Sequence, residues 1–548
     1  MNETNEGFQP GLMMDSSLTI TSILRRAAQF FPEKEIVSRL SDGSIHRTTY
    51  GDLYRRVARL MHALRALGVR PGDLVATFAW NSYRHLELYF AVPCLGAILH
   101  TLNIRLFPDQ LAYIINHAED KWIFADKSLA GALSPLQSEL KTVDTFVIMD
   151  DRGEAGTAPP TGTLDYEELL VSAAETEAFP DFDEKTAAIL CYTSGTTGEP
   201  KGVLFSHRSL YLHTMGCCMA DSLAIREREV VLPVVPMFHA NAWGLPFACA
   251  MAGAKQVLPG SRLVGGPLAE LIVQERVTWA AGVPTVWNLL YQYLMVHPCN
   301  LSRLKTIVVG GAALPRVLIE NYQRDFGITM VHAWGMTETS PVGSVCNLKA
   351  AMDDWPEERR LDAQVKQGIP VANLEVRLEG EHGEELPWDG EHSGELLVRG
   401  PWVSRAYYKC PDTNTAFTED GWFRTGDIAT VDSSGYLEIT DRKKDIIKSR
   451  GEWISSVDME NAVMACPGVL EAAVVGRSDD LRGEAPVVFV VPRQPETEIS
   501  VQEVLDLLKG QFARWQLPRL TDIHVVASLP KTAVGKLDKK AIRRNLTG

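Results

Sequence analysis

Residues 192–202 read Tyr192-Thr193-Ser194-Gly195-Thr196-Thr197-Gly198-Glu199-Pro200-Lys201-Gly202, directly behind the apolar run Ala187 to Cys191. Hydroxyls, glycines and one lysine are packed together after a strand-like segment. Glycines let backbone N–H groups turn toward a ligand, and the hydroxyls and lysine add donors, which is what phosphate oxygens require. A surface turn would share some of this composition but not the apolar run before it or the Pro-Lys-Gly after it. The stretch is not a Walker A loop, because Pro200-Lys201-Gly202 stands where Gly-Lys-Ser/Thr is needed.

The elements that must hold such a loop are legible from periodicity. Tyr50 to Leu67 predicts a helix, with Leu53, Val57, Leu60, Met61 and Leu64 recurring on one face. Pro71-Gly72-Asp73 then turns the chain into the buried-strand run Leu74 to Phe78, and Thr306 to Val309 is a similar run ending at Gly310-Gly311. This alternation predicts an α/β architecture with largely parallel, helix-covered sheets. From Val371 to Arg399, short alternating strands and Gly or Pro turns predict a β-rich subdomain. A small α+β domain follows from Asp441: helix at Ser456 to Met464 with Ser455 and Asp458 spaced as a capping box, strand at Val487 to Val491, helix at Val501 to Leu508, strand at Ile523 to Val526. The expected organisation is therefore a large N-terminal domain over residues 1–440 and a small mobile C-terminal domain over 441–548.

Composition sets the outer limits. The chain has 548 residues, 45% apolar and 22% charged, which suits a globular protein of more than one domain with a large core. A formal net charge of -15 argues against nucleic-acid binding, which needs a basic face. The nine cysteines are scattered and include no CxxC, so neither a disulfide framework nor a zinc site is expected, and a reducing, cytoplasmic setting fits. Met1 to Asp15 has no secretory pattern, and Asn545-Leu546-Thr547-Gly548 is not a peroxisomal tripeptide. Val230 to Ala254 carries no Asp, Glu, Lys or Arg, but Pro233, Pro236, Pro246, His239 and Asn241 interrupt it. A buried strand entering an apolar pocket is expected there, and membrane insertion is not.

The residue 192–202 string resembles the phosphate-loop signature of the adenylate-forming superfamily, which comprises acyl-CoA synthetases, peptide-synthetase adenylation domains and beetle-type luciferases. Further matches follow in order from about Tyr50 to the end of the chain: Gly310-Gly311-Ala312, His332-Ala333-Trp334-Gly335-Met336-Thr337-Glu338-Thr339, Gly394-Glu395-Leu396, Trp422-Phe423-Arg424-Thr425-Gly426-Asp427, Asp441-Arg442-Lys443-Lys444-Asp445, and Pro530-Lys531-Thr532-Ala533-Val534-Gly535-Lys536.

The resemblance implies an ATP-dependent acid–CoA ligase that forms an acyl-adenylate and passes the acyl group to coenzyme A. It implies that Thr193, Ser194, Gly195, Thr196, Thr197, Gly198 and Lys201 meet the phosphates, with Thr193 and Glu338 holding Mg²⁺ as hard oxygen ligands. It assigns Gly311, Ala333, Trp334, Gly335 and Thr337 to the adenine slot and Asp427 to the ribose, where a two-oxygen acceptor suits two hydroxyls. Arg442, Lys444 and Lys448 are candidate nucleotide contacts. Lys536 is the expected catalytic lysine, since a cation near the bridging and leaving oxygens favours the transition state. Lys536 lies beside Lys539 and Lys540, so the alternative for it is a solvated basic helix end; only Lys536 occupies the family's Gly-Lys position. Asp441 resembles the hinge about which the small domain swings, exchanging Lys536 for the CoA-side segment that contains Gly451 and Trp453.

The segment Pro233 to Gly244 resembles medium- and long-chain fatty acid–CoA ligases. It implies that Phe238 and His239 position the carboxylate and that Trp243 gates an acyl tunnel. Relatives of this subgroup also activate 3-(methylthio)propionate and aromatic acids. A stand-alone enzyme loading a carrier protein, a luciferase-like oxidase and a non-catalytic scaffold are the other classes. Long-chain relatives imply a possible homodimer.

Overall fold

In the computed structural model, which describes residues 11–151, 158–174, 178–193, 199–410, 414–449, 452–479, 482–494, 498–531 and 537–547, the amphipathic segment near the N-terminus forms the helix Tyr50–Ala66. Leu53, Val57, Leu60, Met61 and Leu64 are all buried on it. Thr49 and Asp52 close a capping box at its start, and it ends one residue before the expected Leu67, within the ordinary spread of helix ends.

The fold is mixed α/β, as the alternation predicts. A seven-stranded sheet runs Leu164–Asp165, Thr145–Met149, Trp122–Asp126, Leu74–Phe78, Ile98–Thr101, Ala187–Tyr192 and Gly202–Ser206, parallel except for its last pair. All five residues of Leu74–Phe78 are buried, as a strand covered on both faces requires. A nine-stranded sheet has a parallel centre that includes Val230–Pro233, Trp279–Gly282, Thr306–Val309 and Thr329–Gly335. Glu375–Glu379, Gly394–Arg399, Phe423–Val431 and Leu437–Arg442 form a four-stranded antiparallel sheet, the expected β-rich unit.

The C-terminal unit is α+β. Its long hairpin Val469–Asp479 and Gly483–Pro492 alternates strictly. Ala472 and Val474 pack with Met459, Val463, Val504 and Leu508, while Ala473 and Val475 pack with Leu529 and Ile542. The period of two therefore gives helices Ser456–Met464 and Val501–Lys509 one face and helix Lys539–Thr547 the other. Ser455 Oγ accepts from Asp458 N at 3.0 Å, as the capping spacing predicts. Leu437–Arg442 carries the chain into this unit: Asp441 and Arg442 still pair with Ile428 and Asp427 in the four-stranded sheet.

The uncharged run 230–254 differs from the expected single strand. Only Val230–Pro233 is strand; Ala240–Gly244 is a tight turn and Leu245–Ala252 a helix with six buried residues. A continuous apolar run has no period, so it does not distinguish a buried strand from a buried helix. Among the described residues no helix is long and apolar enough to cross a membrane. None of the nine cysteines forms a disulfide.

One side chain joins the two large sheets. Asn81 follows the strand Leu74–Phe78 of the first sheet and is buried; its amide nitrogen donates to Pro233 O at 2.9 Å and Val235 O at 2.8 Å, and its Oδ1 accepts from Met237 N at 2.7 Å. The segment leading from the second sheet to His239 is thereby fixed to the first. Asn81→Ala would orphan three buried main-chain groups at about 1–3 kcal/mol each. We expect a fall of several kcal/mol in unfolding free energy by urea titration; a change below about 1 kcal/mol would show that water replaces the amide.

Candidate active site

The carboxyl ends of the parallel strands in both sheets open toward one cleft of about 680 Å³, bounded on its other sides by the four-stranded sheet and the C-terminal unit. Such crevices are where open α/β sheets bind ligands. Thr193 and Lys201 line it at the end of strand Ala187–Tyr192, and Thr193 N donates to Lys201 O at 2.9 Å, which closes the neck of the loop. Ser194, Gly195, Thr196, Thr197 and Gly198 lie outside the described residues, as do Gly451 and Lys536.

Gly310, Gly311, Ala333, Trp334, Gly335 and Thr337 form the opposite wall. Two of these glycines are required by close approach. A Cβ on Gly335 would lie 1.9 Å from Pro341 O, and one on Gly310 would lie 2.8 Å from Ala333 O and 3.1 Å from the Trp243 ring. Trp334 Nε1 donates to Asp427 Oδ2 at 2.9 Å. Asp427 is 1% exposed and sits immediately behind Thr425 and Arg442, which line the cleft. Arg442 Nε lies 2.7 Å from Asp427 Oδ1, but that oxygen accepts no hydrogen bond among the described residues. A buried carboxylate oxygen held by charge alone retains acceptor capacity for a hydroxyl.

Glu338 lies on the one-turn helix Thr337–Thr339 and is buried. Burial pushes its carboxyl above the usual range, opposed chiefly by Tyr407, whose hydroxyl donates to Oε1 at 2.7 Å. Glu338 O accepts from Ser404 N at 2.7 Å, and the Lys201 ammonium lies 4.9 Å from the Tyr407 ring centre. A desolvated carboxylate and the Thr193 hydroxyl on one cleft are hard oxygen donors, and a divalent cation would offset the cost of burying the charge. The residues thus fit Mg²⁺, which Thr193 and Glu338 would hold.

His239 and Trp243 also border the cleft, whereas Phe238 is buried and does not. Ala240, Asn241, Ala242 and Trp243 have φ of 43°, 56°, 48° and 59°, a left-handed turn made entirely of non-glycine residues. At about 1–2 kcal/mol per residue, that conformation carries roughly 4–8 kcal/mol of strain that packing must offset. All of this turn except Trp243 is buried.

From the C-terminal unit, Lys444, Asp445 and Leu537 reach the cleft. Burial lowers the Lys444 ammonium from its usual range. Lys448 and Trp453 do not reach it: they face one another across the hairpin Ile447–Ser449 and Glu452–Ile454, with Lys448 exposed. Asp441 is buried at the seam. Sequence reasoning missed Tyr407, Tyr408, Tyr113 and His117 on the cleft wall. His117 Nδ1 is 2.6 Å from the Tyr192 hydroxyl, so His117 anchors the residue before Thr193. No spacing signals these residues.

A fold of two helix-covered sheets with a small C-terminal unit bordering their shared cleft is that of the adenylate-forming enzymes. The chain belongs to the AMP-binding enzyme family, whose profile matches residues 24–408, while the profile of the AMP-binding enzyme C-terminal domain matches residues 458–536. It is 48% identical to a long-chain-fatty-acid–CoA ligase of Thermus thermophilus, covering 97% of this chain and 96% of the relative. It is 42% identical to a 3-methylmercaptopropionyl-CoA ligase of Ruegeria lacuscaerulensis, covering 97% and 98%. The crystal structure of an anthranilate CoA ligase with anthranoyl-AMP shares the fold at a TM-score of 0.86 and 24% identity, covering 97% and 98%.

The Tyr407 contact is testable. A hydrogen bond to a charged group is worth about 1.5–3 kcal/mol, so Tyr407→Phe is expected to weaken Mg²⁺-supported ATP binding at least tenfold by calorimetry. Unchanged affinity and unchanged Mg²⁺ requirement would show that Glu338 needs no such support.

Proposed function

We propose that the protein is an ATP-dependent acid–CoA ligase of two half-reactions. A carboxylate oxygen attacks the α-phosphorus of ATP, pyrophosphate leaves, and an acyl-adenylate forms. The sulfur of coenzyme A then attacks the acyl carbonyl carbon, AMP leaves, and the thioester forms. The observation that carries this reading is the convergence on one cleft of Thr193, Glu338 and Trp334, with Asp427 behind them and Leu537, the neighbour of Lys536, across from them.

In this reading Asp427 accepts from the ribose hydroxyls while Trp334 fixes its other oxygen, and Gly311, Ala333 and Gly335 leave room for the adenine. A bound Mg²⁺ would supply charge neutralisation on the triphosphate. Lys536 acts in the first half-reaction by stabilising charge on the bridging and leaving oxygens. His239 orients the acid, and the rim of Trp243 excludes water from the acyl site. Asp441 marks the seam between a domain of residues 1–440 and one of 441–548. Rotation there withdraws Lys536 and brings Lys448, Gly451 and Trp453 to the CoA side. Nine cysteines outside any disulfide support work in a reducing cytoplasm.

The acid is a medium- or long-chain fatty acid, a choice supported by the names of the Thermus relative and of a medium-chain-fatty-acid–CoA ligase at 40% identity. The Ruegeria relative supports a short sulfur-containing acid as the second reading. Pyrophosphate release with and without CoA, across propionate, 3-(methylthio)propionate, octanoate, palmitate, benzoate and cinnamate, tests both. A CoA-dependent optimum at octanoate or palmitate is expected. An optimum at the short or aromatic acids would keep the mechanism and overturn the substrate, and indifference to CoA would overturn the ligase. Trp243→Ala is expected to flatten chain-length selectivity, since one methylene in an apolar pocket is worth only about 1–3 kcal/mol; unaltered ratios would return Trp243 to a packing role.

A further inference from the structure

Asp441 belongs to two units at once. Its backbone pairs with Ile428 in the four-stranded sheet, yet its carboxylate, 1% exposed, faces the first turn of helix Ser456–Met464 in the C-terminal unit. Oδ2 accepts from Ser456 N at 2.6 Å and from Ser456 Oγ at 2.7 Å, and Oδ1 accepts from Arg442 N at 2.7 Å. The Ser456 hydroxyl has one proton, which goes to Asp441, so its lone pairs are open to a donor. Lys539 supplies that donor: its Nζ is 2.6 Å from Ser456 Oγ and 2.8 Å from Glu460 Oε1. Glu460 Oε1 also accepts from Val474 N at 2.7 Å, which holds the acceptor still. The Lys539 and Glu460 side chains are only 11% and 12% exposed.

One cation thus serves two buried carboxylates, one directly and one through a hydroxyl. Lys539 opens the helix Lys539–Thr547, which follows Lys536 along the chain, and Leu537 between them lines the nucleotide cleft. Farther along that helix Arg543 Nη1 lies 2.8 Å from Asp445 Oδ1, and Asp445 lines the same cleft. The helix carrying the catalytic-lysine segment is therefore bound at two points to the residues on either side of Arg442.

We propose that Lys539 is a positioning residue: through the relay Lys539–Ser456–Asp441 it latches the hinge in the adenylate-forming orientation. Release of Asp441 and withdrawal of the Lys536 segment are then a single event. This rests on the two-step ligase reading above.

Half-reaction kinetics on the full-length enzyme test it. Loss of one charge-assisted contact is expected to slow acyl-adenylate formation about tenfold in Lys539→Met. Thioester formation from supplied acyl-adenylate should change less than about twofold, because that step needs the other orientation. Lys539→Arg should restore the first step. Equal losses in both steps, or none in either, would overturn the latch. Because Lys539→Met leaves Glu460 buried without its cation, Lys539→Met/Glu460→Gln is the companion variant. It should keep the selective loss; full recovery of adenylate formation would reduce Lys539 to a neutraliser of Glu460 and overturn the relay. If the unmodified enzyme formed no acyl-adenylate, the ligase reading would fall instead.

Discussion

The two large sheets share one apolar core, and a buried amide ties the polar backbone between them. Asn81 meets Pro233 at the end of a strand of the other sheet, and Val235 and Met237 in the segment that follows it. The segment it holds has irregular backbone in an apolar interior, where unpaired polar groups are most costly. The amide satisfies those groups and fixes where His239 and the turn after it emerge. The positions of the cleft walls relative to one another follow from that attachment.

A second constraint governs the polar side of the cleft. Glu338, Asp427, Asp441 and Glu460 are carboxylates at most 9% exposed, and each has a specific partner: Tyr407, Trp334 with Arg442, Ser456, and Lys539. Burial pushes the Glu338, Asp441 and Glu460 carboxyls above their usual range, opposed by the neighbouring donors and the shared cation. The Tyr407 hydroxyl is neutral and leaves the Glu338 charge uncancelled, whereas Asp427 is ion-paired with Arg442 yet keeps Oδ1 without a hydrogen bond among the described residues. Asp441 and Glu460, by contrast, are coupled to a lysine and act on the arrangement of the chain.

Much of this was legible in the sequence where one physical rule dominated. The helix at Tyr50 follows a period, the helix at Ser456 a cap, and the strands at Leu74 and Thr306 are short apolar runs marked off by Pro-Gly and Gly-Gly turns. The nucleotide-side residues were legible as a string because glycines, hydroxyls and carboxylates at close approach leave few substitutes. Residues 230–254 were not, since an apolar run without charges carries no period. Asn81, Tyr407 and Lys539 were also invisible. Each acts on a partner far along the chain: 152 positions from Asn81 to Pro233, 69 from Glu338 to Tyr407, and 83 from Ser456 to Lys539. Local spacing holds no trace of a contact that only the folded topology creates.

The left-handed turn at Ala240 to Trp243 puts the conformational energy of the backbone, alongside the size of a lining side chain, at the border of the cleft. A glycine at position 242, which is not on the cleft wall, would ease that conformation and leave the lining residues as they are. The border of such a cleft can therefore shift through main-chain propensity, with the aromatic ring at its rim unchanged. Two relatives with the same pocket residues can differ in which acids they admit, and comparison of lining residues alone would not reveal it.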